Sequence, residues 1–510
     1  MKQNPEVGKV YLVGAGPGDP GLITVKGTYC IQHADALIYD YLAAPELIRY
    51  ARPGAELIYV GKKGGDHTMS QEEINALIVE KARQGLTVTR LKGGDPFIFG
   101  RGGEEAEELM NDNIPFEIVP GVTSAVAAPA YAGIPLTHRK FASSVAFITG
   151  HEDPTKPESS INYHALADGI GTLVFFMGIK NLPNIIRNLI SGGKPAETPV
   201  AVVRWGTTPR QETVTGTLDT IVEIVKTAGI KAPALIIVGD VVTLRDRLKW
   251  FETRPLMGKC IVVTRARAQA GSFTARLAGL GAECYECPTI RVVPPEDWSP
   301  LDEAIAHLRD YHWLVFTSVN GVDFFFKRLF EKGKDARHLG NLRTAVIGPA
   351  TQDRLQDFGL RADIVPETFR AESIIDAFKN ERVTGQKVLL PRALEARPIL
   401  PVELSAMGAQ VNEVATYQTT MTTEGSDELL EKLKNRQIDM ITFTSSSTVR
   451  NFCRMIPETD RHTLLKDIAI ASIGPITTET AQTLGLNVST EATDYTIDGL
   501  CCAILDYYAN

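Results

Sequence analysis

The sequence predicts an α/β protein of two successive domains, the second internally duplicated. Three observations predict this. Short β-rich runs alternate with amphipathic helical stretches along the chain, as sheets with crossover helices require. A charged stretch containing Pro and Gly interrupts that alternation near residues 248–258. Beyond it, four short motifs recur in the same order at nearly one spacing.

The chain has 510 residues, enough for several cores of roughly 100–200 residues each. An apolar share of 44% and a charged share of 22% exclude disorder as the main theme. Leu173–Met177 and Ala234–Val238 are among the densest apolar runs. Both fall far short of the ~20 residues a membrane span needs. The opening MKQNPEVGK lacks the apolar region of a signal peptide. The formal charge of -8 divides into -2 for residues 1–250 and -6 for 251–510. Neither half carries the positive field of a nucleic-acid binder, so an acidic ligand must be met by local Arg and Lys. The seven cysteines are scattered, and Cys284–Cys287 is a lone C-x-x-C with no Cys or His pair nearby to complete a zinc site. The expectation is buried, reduced thiols, no metal and a cytoplasmic location.

In chain order, Val10–Val13 reads as a strand, Leu22–His33 as a helix, and Ala36–Tyr39 and Leu57–Val60 as strands. Ala234–Val238 reads as the last strand of the first domain, and Cys260–Thr264 opens a new one. The expected division is residues 1–247, a linker at 248–258, and residues 259–510.

The second domain repeats itself. VVTRA at 262–266 resembles LLPRA at 389–393, and Gly281-Ala282 matches Gly408-Ala409. Phe316-Thr317-Ser318 matches Phe443-Thr444-Ser445, and Ile347-Gly348-Pro349 matches Ile473-Gly474-Pro475. The offsets are 127, 127, 127 and 126. Four ordered matches imply two similar α/β units, with a cleft between them where ligands often sit.

The first domain carries several loops of small residues after strands. GAGPGD at 14–19 places a Gly-rich turn between a strand and a helix, where backbone can approach a ligand closely. A dinucleotide fingerprint wants a sixth-position glycine, and Asp19 stands there. RLKGGDPFIFGRGGEE at 90–105, PGVTS at 120–124 and AGIPLTHR at 132–139 complete the set. Open α/β sheets bind ligands at such an edge.

These residues carry a resemblance. GAGPGDPG, VGKKGGDHT, RLKGGDPFIFGRGGEE, PGVTSAVAAPAYAGIPLTHR, TLVFFMG and PALIIVGDVV resemble, in unbroken order over about residues 7–250, the uroporphyrinogen-III C-methyltransferases. These are tetrapyrrole methylases that use S-adenosylmethionine. The resemblance implies a methylase fold of two α/β subdomains. It implies Asp40 as proton acceptor and Lys62 as proton donor. It places Pro17, Gly93, Gly94, Asp95, Ile98, Thr123, Ser124, Met177 and Gly206 at the cofactor. It also implies a homodimer formed through this domain. The acceptor would be a tetrapyrrole polycarboxylate, and Lys63, Arg90, Lys92, Arg101, His138, Arg139 and Lys140 lie in or beside the loops that would meet it.

Residues 259–510 are similar to the uroporphyrinogen-III synthases. The supporting stretches are VVTRARAQAGSFTARLAGLGAE, HWLVFTSVNGV, AVIGPATQDRL, VLLPRALEARPILPVELSAMGAQVNEVATYQT, MITFTSSSTV and ASIGPITTETA. The resemblance implies a duplicated, flavodoxin-like α/β domain whose units are 259–291 with 419–510, and 292–418. Loops combining hydroxyls with Gly-Pro turns offer donors to carboxylates. Ser318, Ser445, Ser446, Thr351, Thr477 and Thr478 are candidates for that role. Tyr417 matches a recurrent family tyrosine and would help a departing hydroxyl leave.

Joined, the two halves predict a bifunctional cytoplasmic enzyme that makes uroporphyrinogen III and methylates it twice to precorrin-2, toward sirohaem or cobalamin. Its cofactor would be S-adenosylmethionine, with no metal, nucleic acid or membrane partner. Three alternatives stay open at this point: an inert second domain, a nicotinamide-dependent oxidoreductase built on GAGPGD, and a non-catalytic binding protein.

Overall fold

A computed structural model describes residues 7–61, 69–151, 161–265, 267–366 and 371–509. Contacts divide the chain into two units. One holds the residues up to Cys260 with Ala275–Cys284 and the last few residues, and the other holds Ile261–Thr274 with Tyr285–Tyr507.

The first sheet contains β1 (Val10–Gly14), β2 (Ala36–Tyr39), β3 (Glu56–Tyr59), β4 (Val88–Lys92) and β5 (Phe116–Val119). Its order is β3-β2-β4-β1-β5, all parallel. The chain leaves β1 toward β2 on one side and leaves β4 toward β5 on the other. The crevice of the sheet therefore opens between β1 and β4, at their carboxyl ends. The helix expected from Leu22 begins at Val25, because Thr24 caps it by accepting from the Gly27 N–H at 3.0 Å. The preceding Pro20–Leu22 forms a single 3-10 turn.

The second sheet contains β6 (Val145–Thr149), β7 (Thr172–Phe176), β8 (Pro199–Arg204), β9 (Glu212–Thr217) and β10 (Ala234–Val238). Its order is β6-β7-β10-β8-β9, and only β6 and β7 run parallel. Both faces of β7, β8 and β10 are buried, which explains their unbroken apolar runs. The stretch 248–258, where the sequence suggests a join, is itself packed. Phe251 and Leu256 are buried, the Phe251 ring sits 4.7 Å from that of Tyr131, and Arg245 donates to the Ala132 carbonyl at 2.6 Å.

Two further five-stranded sheets follow. Their strands are β11 (Cys260–Val263), β12 (Glu283–Glu286), β13 (Ile290–Val293), β14 (Trp313–Phe316), β15 (Arg343–Val346), β16 (Lys387–Ala393), β17 (Gln410–Met421), β18 (Met440–Phe443), β19 (Ala469–Ser472) and β20 (Thr490–Glu491). One sheet runs β12-β11-β18-β19-β20 and the other β13-β17-β16-β14-β15.

The motif repeat sorts these strands. The first copy supplies β11, β12, β14 and β15, and the second supplies β16, β17, β18 and β19. Ile364, which bridges Ala345 of β15, corresponds to β20, which pairs with β19. The sheet β12-β11-β18-β19-β20 thus shows the flavodoxin-like order 2-1-3-4-5, with two strands from the first copy and three from the second. The other sheet shows 2-1-3-4 as β17-β16-β14-β15, with the Ile364 bridge in fifth place and β13 added antiparallel outside β17. β11 pairs with β18 (Ile261↔Met440), and β16 with β14 (Trp313↔Val388). The long β17 pairs in parallel with β16 through Tyr417 and antiparallel with β13 from Gln418 onward.

Candidate active sites

Three loops of the first sheet meet where no side chain fits. A Cβ on Gly14 would stand 2.5 Å from the Gly121 Cα and 2.7 Å from the Gly94 carbonyl oxygen. Gly16 and Gly94 exchange backbone hydrogen bonds at 3.2 and 2.7 Å, joining the loops after β1 and β4. Asp95 fastens the third loop. One oxygen accepts from the Gly121 N–H at 3.0 Å and the other from the Phe97 N–H at 2.8 Å. A Cβ on Gly94 would meet only ordinary contacts, the Ser124 nitrogen at 3.8 Å and the Thr123 Cα at 3.9 Å.

Loops of the second sheet close on the same edge. A Cβ on Gly18, beside Pro17, would strike Thr207 and Thr208, and one on Gly206 would overlap Ala128. The Asp19 N–H donates to the Thr207 hydroxyl at 3.0 Å. Tyr131 donates to an Asp19 carboxylate oxygen at 2.6 Å. Burial, then this bond to a carboxylate, raises the Tyr131 pKa. The ring of Phe99, next to Ile98, lies tilted 4.9 Å from that of Phe176, next to Met177. Phe99, Met177 and Thr207 all have positive φ, a strained backbone of the type found at functional sites. The expected cofactor residues Pro17, Gly93, Gly94, Asp95, Ile98, Thr123, Ser124, Met177 and Gly206 therefore lie on or beside loops that these contacts join at one edge.

Asp40 follows β2 at this edge. One oxygen accepts from the Leu42 N–H at 3.0 Å and the other from Arg90 Nη2 at 2.9 Å. Leu42 in turn fills the space that a Cβ on Gly93 would need. A carboxylate has about four lone-pair sites, so acceptor capacity remains on Asp40, whose side chain is 20% exposed. Lys62 and Lys63 lie outside the described residues.

Arg90 and Lys92 correct the expectation that they meet substrate. Both are buried, on one face of the central strand. Arg90 reaches Asp40 at 2.9 Å and Glu105 at 3.4 Å, and Lys92 reaches Glu105 at 2.6 Å. Burial, then the neighbouring Arg90 charge, lowers the Lys92 pKa, and Glu105 opposes that shift. Arg101 is exposed, has a left-handed φ of 59° and holds Glu104 at 3.2 Å. His138 accepts the Lys140 N–H at Nδ1 (3.2 Å) and closes a two-way backbone bridge with Ala142. Arg139 next to it is exposed.

In the later half, the FTS motifs start helices. Ser318 caps Val319–Glu331 and Ser445 caps Ser446–Met455, each with its hydroxyl on a backbone N–H. Ser318 also bonds Tyr417 Oη at 2.9 Å, and the Tyr417 ring stacks 5.8 Å from Phe324. Burial raises the Tyr417 pKa. Ser446 donates to the Ile476 carbonyl at 3.2 Å and accepts from Thr480 at 2.8 Å. Thr478 is held by Ser472 and Glu491, and Thr351 and Thr477 are buried. Among the described residues, no hydrogen bond joins the Ser318–Tyr417 pair to the Ser445–Thr478 group.

Sequence reasoning missed Arg392. It is buried, donates to the Arg397 carbonyl at 2.6 Å and approaches Glu413 at 3.4 Å, while its Nε and Nη1 make no hydrogen bond among the described residues. Its place in LLPRA, matching Arg265 in VVTRA, is a signal that could have found it. Burial lowers the pKa of both guanidiniums.

The folds and their carboxyl-end loops define two α/β enzyme units, and known proteins say which. Residues 9–222 match the tetrapyrrole (corrin/porphyrin) methylases, and residues 271–502 match uroporphyrinogen-III synthase HemD. The porphyrin biosynthesis protein HemD of Ruminiclostridium josui is 40% identical over 501 residues, 98% of each chain. The uroporphyrinogen-III C-methyltransferase of Priestia megaterium is 55% identical over 236 residues, 46% of this chain and 99% of that one. A crystal structure of uroporphyrin-III C-methyltransferase from Thermus thermophilus covers 46% of this chain and all of its own at 38% identity, with a TM-score of 0.40. The chain belongs to the family of the HemD porphyrin biosynthesis protein. It is an enzyme of tetrapyrrole biosynthesis in which uroporphyrinogen-III C-methyltransferase and uroporphyrinogen-III synthase domains are fused. Among the described residues, no helix is long and apolar enough to cross a membrane.

Proposed function

We infer that the methylase unit transfers two methyl groups from S-adenosylmethionine to uroporphyrinogen III, giving precorrin-2. The observation that supports this best is the side-chain-free cradle of Gly14, Gly94 and Gly121 with Asp40 at the neighbouring strand end. The glycine backbones close on one another there, so the cradle fixes three loops whose remaining backbone N–H and C=O groups can meet a ligand at that edge. When bound, S-adenosylmethionine supplies a methyl carbon already electrophilic on its sulfonium. Gly93, Gly94, Thr123, Ser124, Met177 and Gly206 would hold it, with Pro17 and Asp95 stiffening the loops. Alignment and exclusion of water by such loops contribute ~7–11 kcal/mol to reactions of this kind. Asp40 would take the proton that the macrocycle gives up, from a bridging CH2 or a pyrrole N–H, once the new carbon–carbon bond has formed at the fully substituted ring carbon, a contribution of about 10²–10⁴-fold. Arg101, His138 and Arg139 would meet the acceptor's carboxylates.

The synthase unit would close hydroxymethylbilane with inversion of the last ring. Its helix N-termini at Ser318, Ser445 and Gly474 suit carboxylate arms. Tyr417, held by Ser318, would give its phenolic proton to the departing hydroxyl. Fusion raises the local concentration of an oxidisable intermediate. The homodimer stays part of this reading and is checked by light scattering.

The test is anaerobic incubation of the whole protein with hydroxymethylbilane and S-adenosylmethionine, followed by absorbance and product mass. Two methyl groups on a type III macrocycle, with no added synthase, support both halves. Methylation of added uroporphyrinogen III alone would leave the second unit inert. No methylation of either substrate would refute the methylase reading.

A further inference from the structure

β4 is the central strand of an all-parallel sheet, a place that normally holds apolar residues on both faces. Side chains alternate along a strand, so Val88, Arg90 and Lys92 share one face. Val88 packs there with Ile74, Ile78, Val79 and Leu109 of the helices Gln71–Arg83 and Gly102–Asn111. Two buried cations on this face are costly unless paired. The helix Gly102–Asn111 provides the pair. Glu105, in its first turn and 1% exposed, takes Lys92 at 2.6 Å, Arg90 at 3.4 Å and Gln71 at 3.2 Å, all on Oε1. Its Oε2 is buried with no hydrogen-bond partner among the described residues. Arg90 is fixed on three sides, by Glu105, by the Leu91 carbonyl at 3.0 Å and by Asp40 at 2.9 Å. The chain of contacts runs Lys92, Glu105, Arg90, Asp40, and only Asp40 reaches the cleft.

We propose that Glu105 is a positioning residue for methyl transfer, anchoring the Arg90 guanidinium that holds the Asp40 carboxylate in place. This rests on the reading of Asp40 as proton acceptor. A structural core needs no charge at this point, and apolar residues of similar volume are often as stable as a buried ion pair. Four charges ending at one cleft carboxylate fit preorganisation, because a reacting group displaced by about 1 Å costs on the order of 10²-fold in rate. Glu105 touches no reacting atom and acts through Arg90.

The experiment compares D40N, E105Q, D40N/E105Q and K92M/E105Q in the full chain, reading kcat and KM for methyl transfer to uroporphyrinogen III. K92M/E105Q removes one buried charge of each sign and guards against misfolding of E105Q. The expected results are a D40N loss of about 10²–10⁴-fold in kcat and an E105Q loss of about 10²-fold. KM for both substrates should stay within about twofold. D40N/E105Q should be no more than about threefold slower than D40N, since residues acting as one unit are not additive. A slow D40N beside an E105Q at wild-type kcat overturns the proposal alone, as does a double variant whose losses multiply. D40N at the wild-type rate sinks the Asp40 reading and the proposal with it. Failure of both E105Q and K92M/E105Q to fold would make Glu105 a stability residue and overturn its positioning role.

Discussion

Substituting Ala for Gly121 tests the cradle directly. The new Cβ would stand 2.7 Å from the Gly14 Cα and closer still to the Gly94 carbonyl oxygen. Ordinary contact begins at 3.4 Å, so the Gly14 side alone must yield by 0.7 Å. Neither neighbour gives easily. Both atoms are backbone, and Gly94 is held by the two-way bridge to Gly16. Overpacking of this kind costs about 1–3 kcal/mol, and about 2–4 °C of Tm accompanies each kcal/mol in a unit of this size. The first unit's melting transition should fall by about 2–12 °C. The methyl-transfer rate should fall about 10²-fold, because the loops proposed to hold the cofactor would shift by nearly 1 Å. Gly103→Ala is the control. Its Cβ would meet nothing within 4 Å, and the site lies inside the helix Gly102–Asn111. Helix propensity should raise its melting temperature slightly, by up to ~1 kcal/mol of stability. Scanning calorimetry and initial rates decide the matter. G121A with unchanged melting and unchanged rate would refute the cradle argument.

Three other outcomes are expected. Tyr417→Phe keeps the ring against Phe324 and removes the bond to Ser318; cyclisation should slow at least ~10-fold as general acid help is lost, stability should fall by only about 0.5–1.5 kcal/mol, and an unchanged rate would end the role given to Tyr417. At pH 8, iodoacetamide should label the exposed Cys502 well before Cys287, whose thiol burial pushes up to about 12; peptide mass spectrometry showing Cys287 first would contradict its burial. Lys26, then Lys9, hold the Glu117 carboxyl down at about 2, so its stabilising effect is present above the unfolded value of about 4.3 and is lost as pH falls toward 2; the urea midpoints of wild type and E117Q should converge through that window, and 1 M salt should shrink the difference because the pair is exposed.

The parts of the fold written in local pattern were legible in the sequence. The strand Ala36–Tyr39 and the strand Ala234–Val238 stand at the expected residues, and the glycine loops after β1, β4 and β5 meet as their spacing suggested. The parts that depend on what lies opposite were not. Arg90 and Lys92 read as ligand-facing cations because their sequence neighbours are loop glycines; the structure turns them under the sheet because Glu105, on the next helix, neutralises them there. Glu105 gave no sign of burial, since an acidic residue in a first helical turn is ordinarily solvated and favoured by the helix dipole. Arg392 is a similar case. An arginine ending a strand reads as surface, and only its recurrence beside Arg265 hinted otherwise.

The exchange of strands between the two copies has a consequence for synthesis. β11 leaves the ribosome long before its partner β18, with 176 residues between Val263 and Met440. At roughly 5–20 residues per second, β11 waits about 9–35 s for the strand that pairs with its second edge. During that time the edge of β11 away from β12 is open to wrong pairing. The methylase sheets face a shorter delay, because β4 begins only 74 residues after β1 ends and all ten strands have been made by Val238. The order of the fusion therefore lets a finished N-terminal unit fold while the slow, long-range pairings of the synthase are still being assembled.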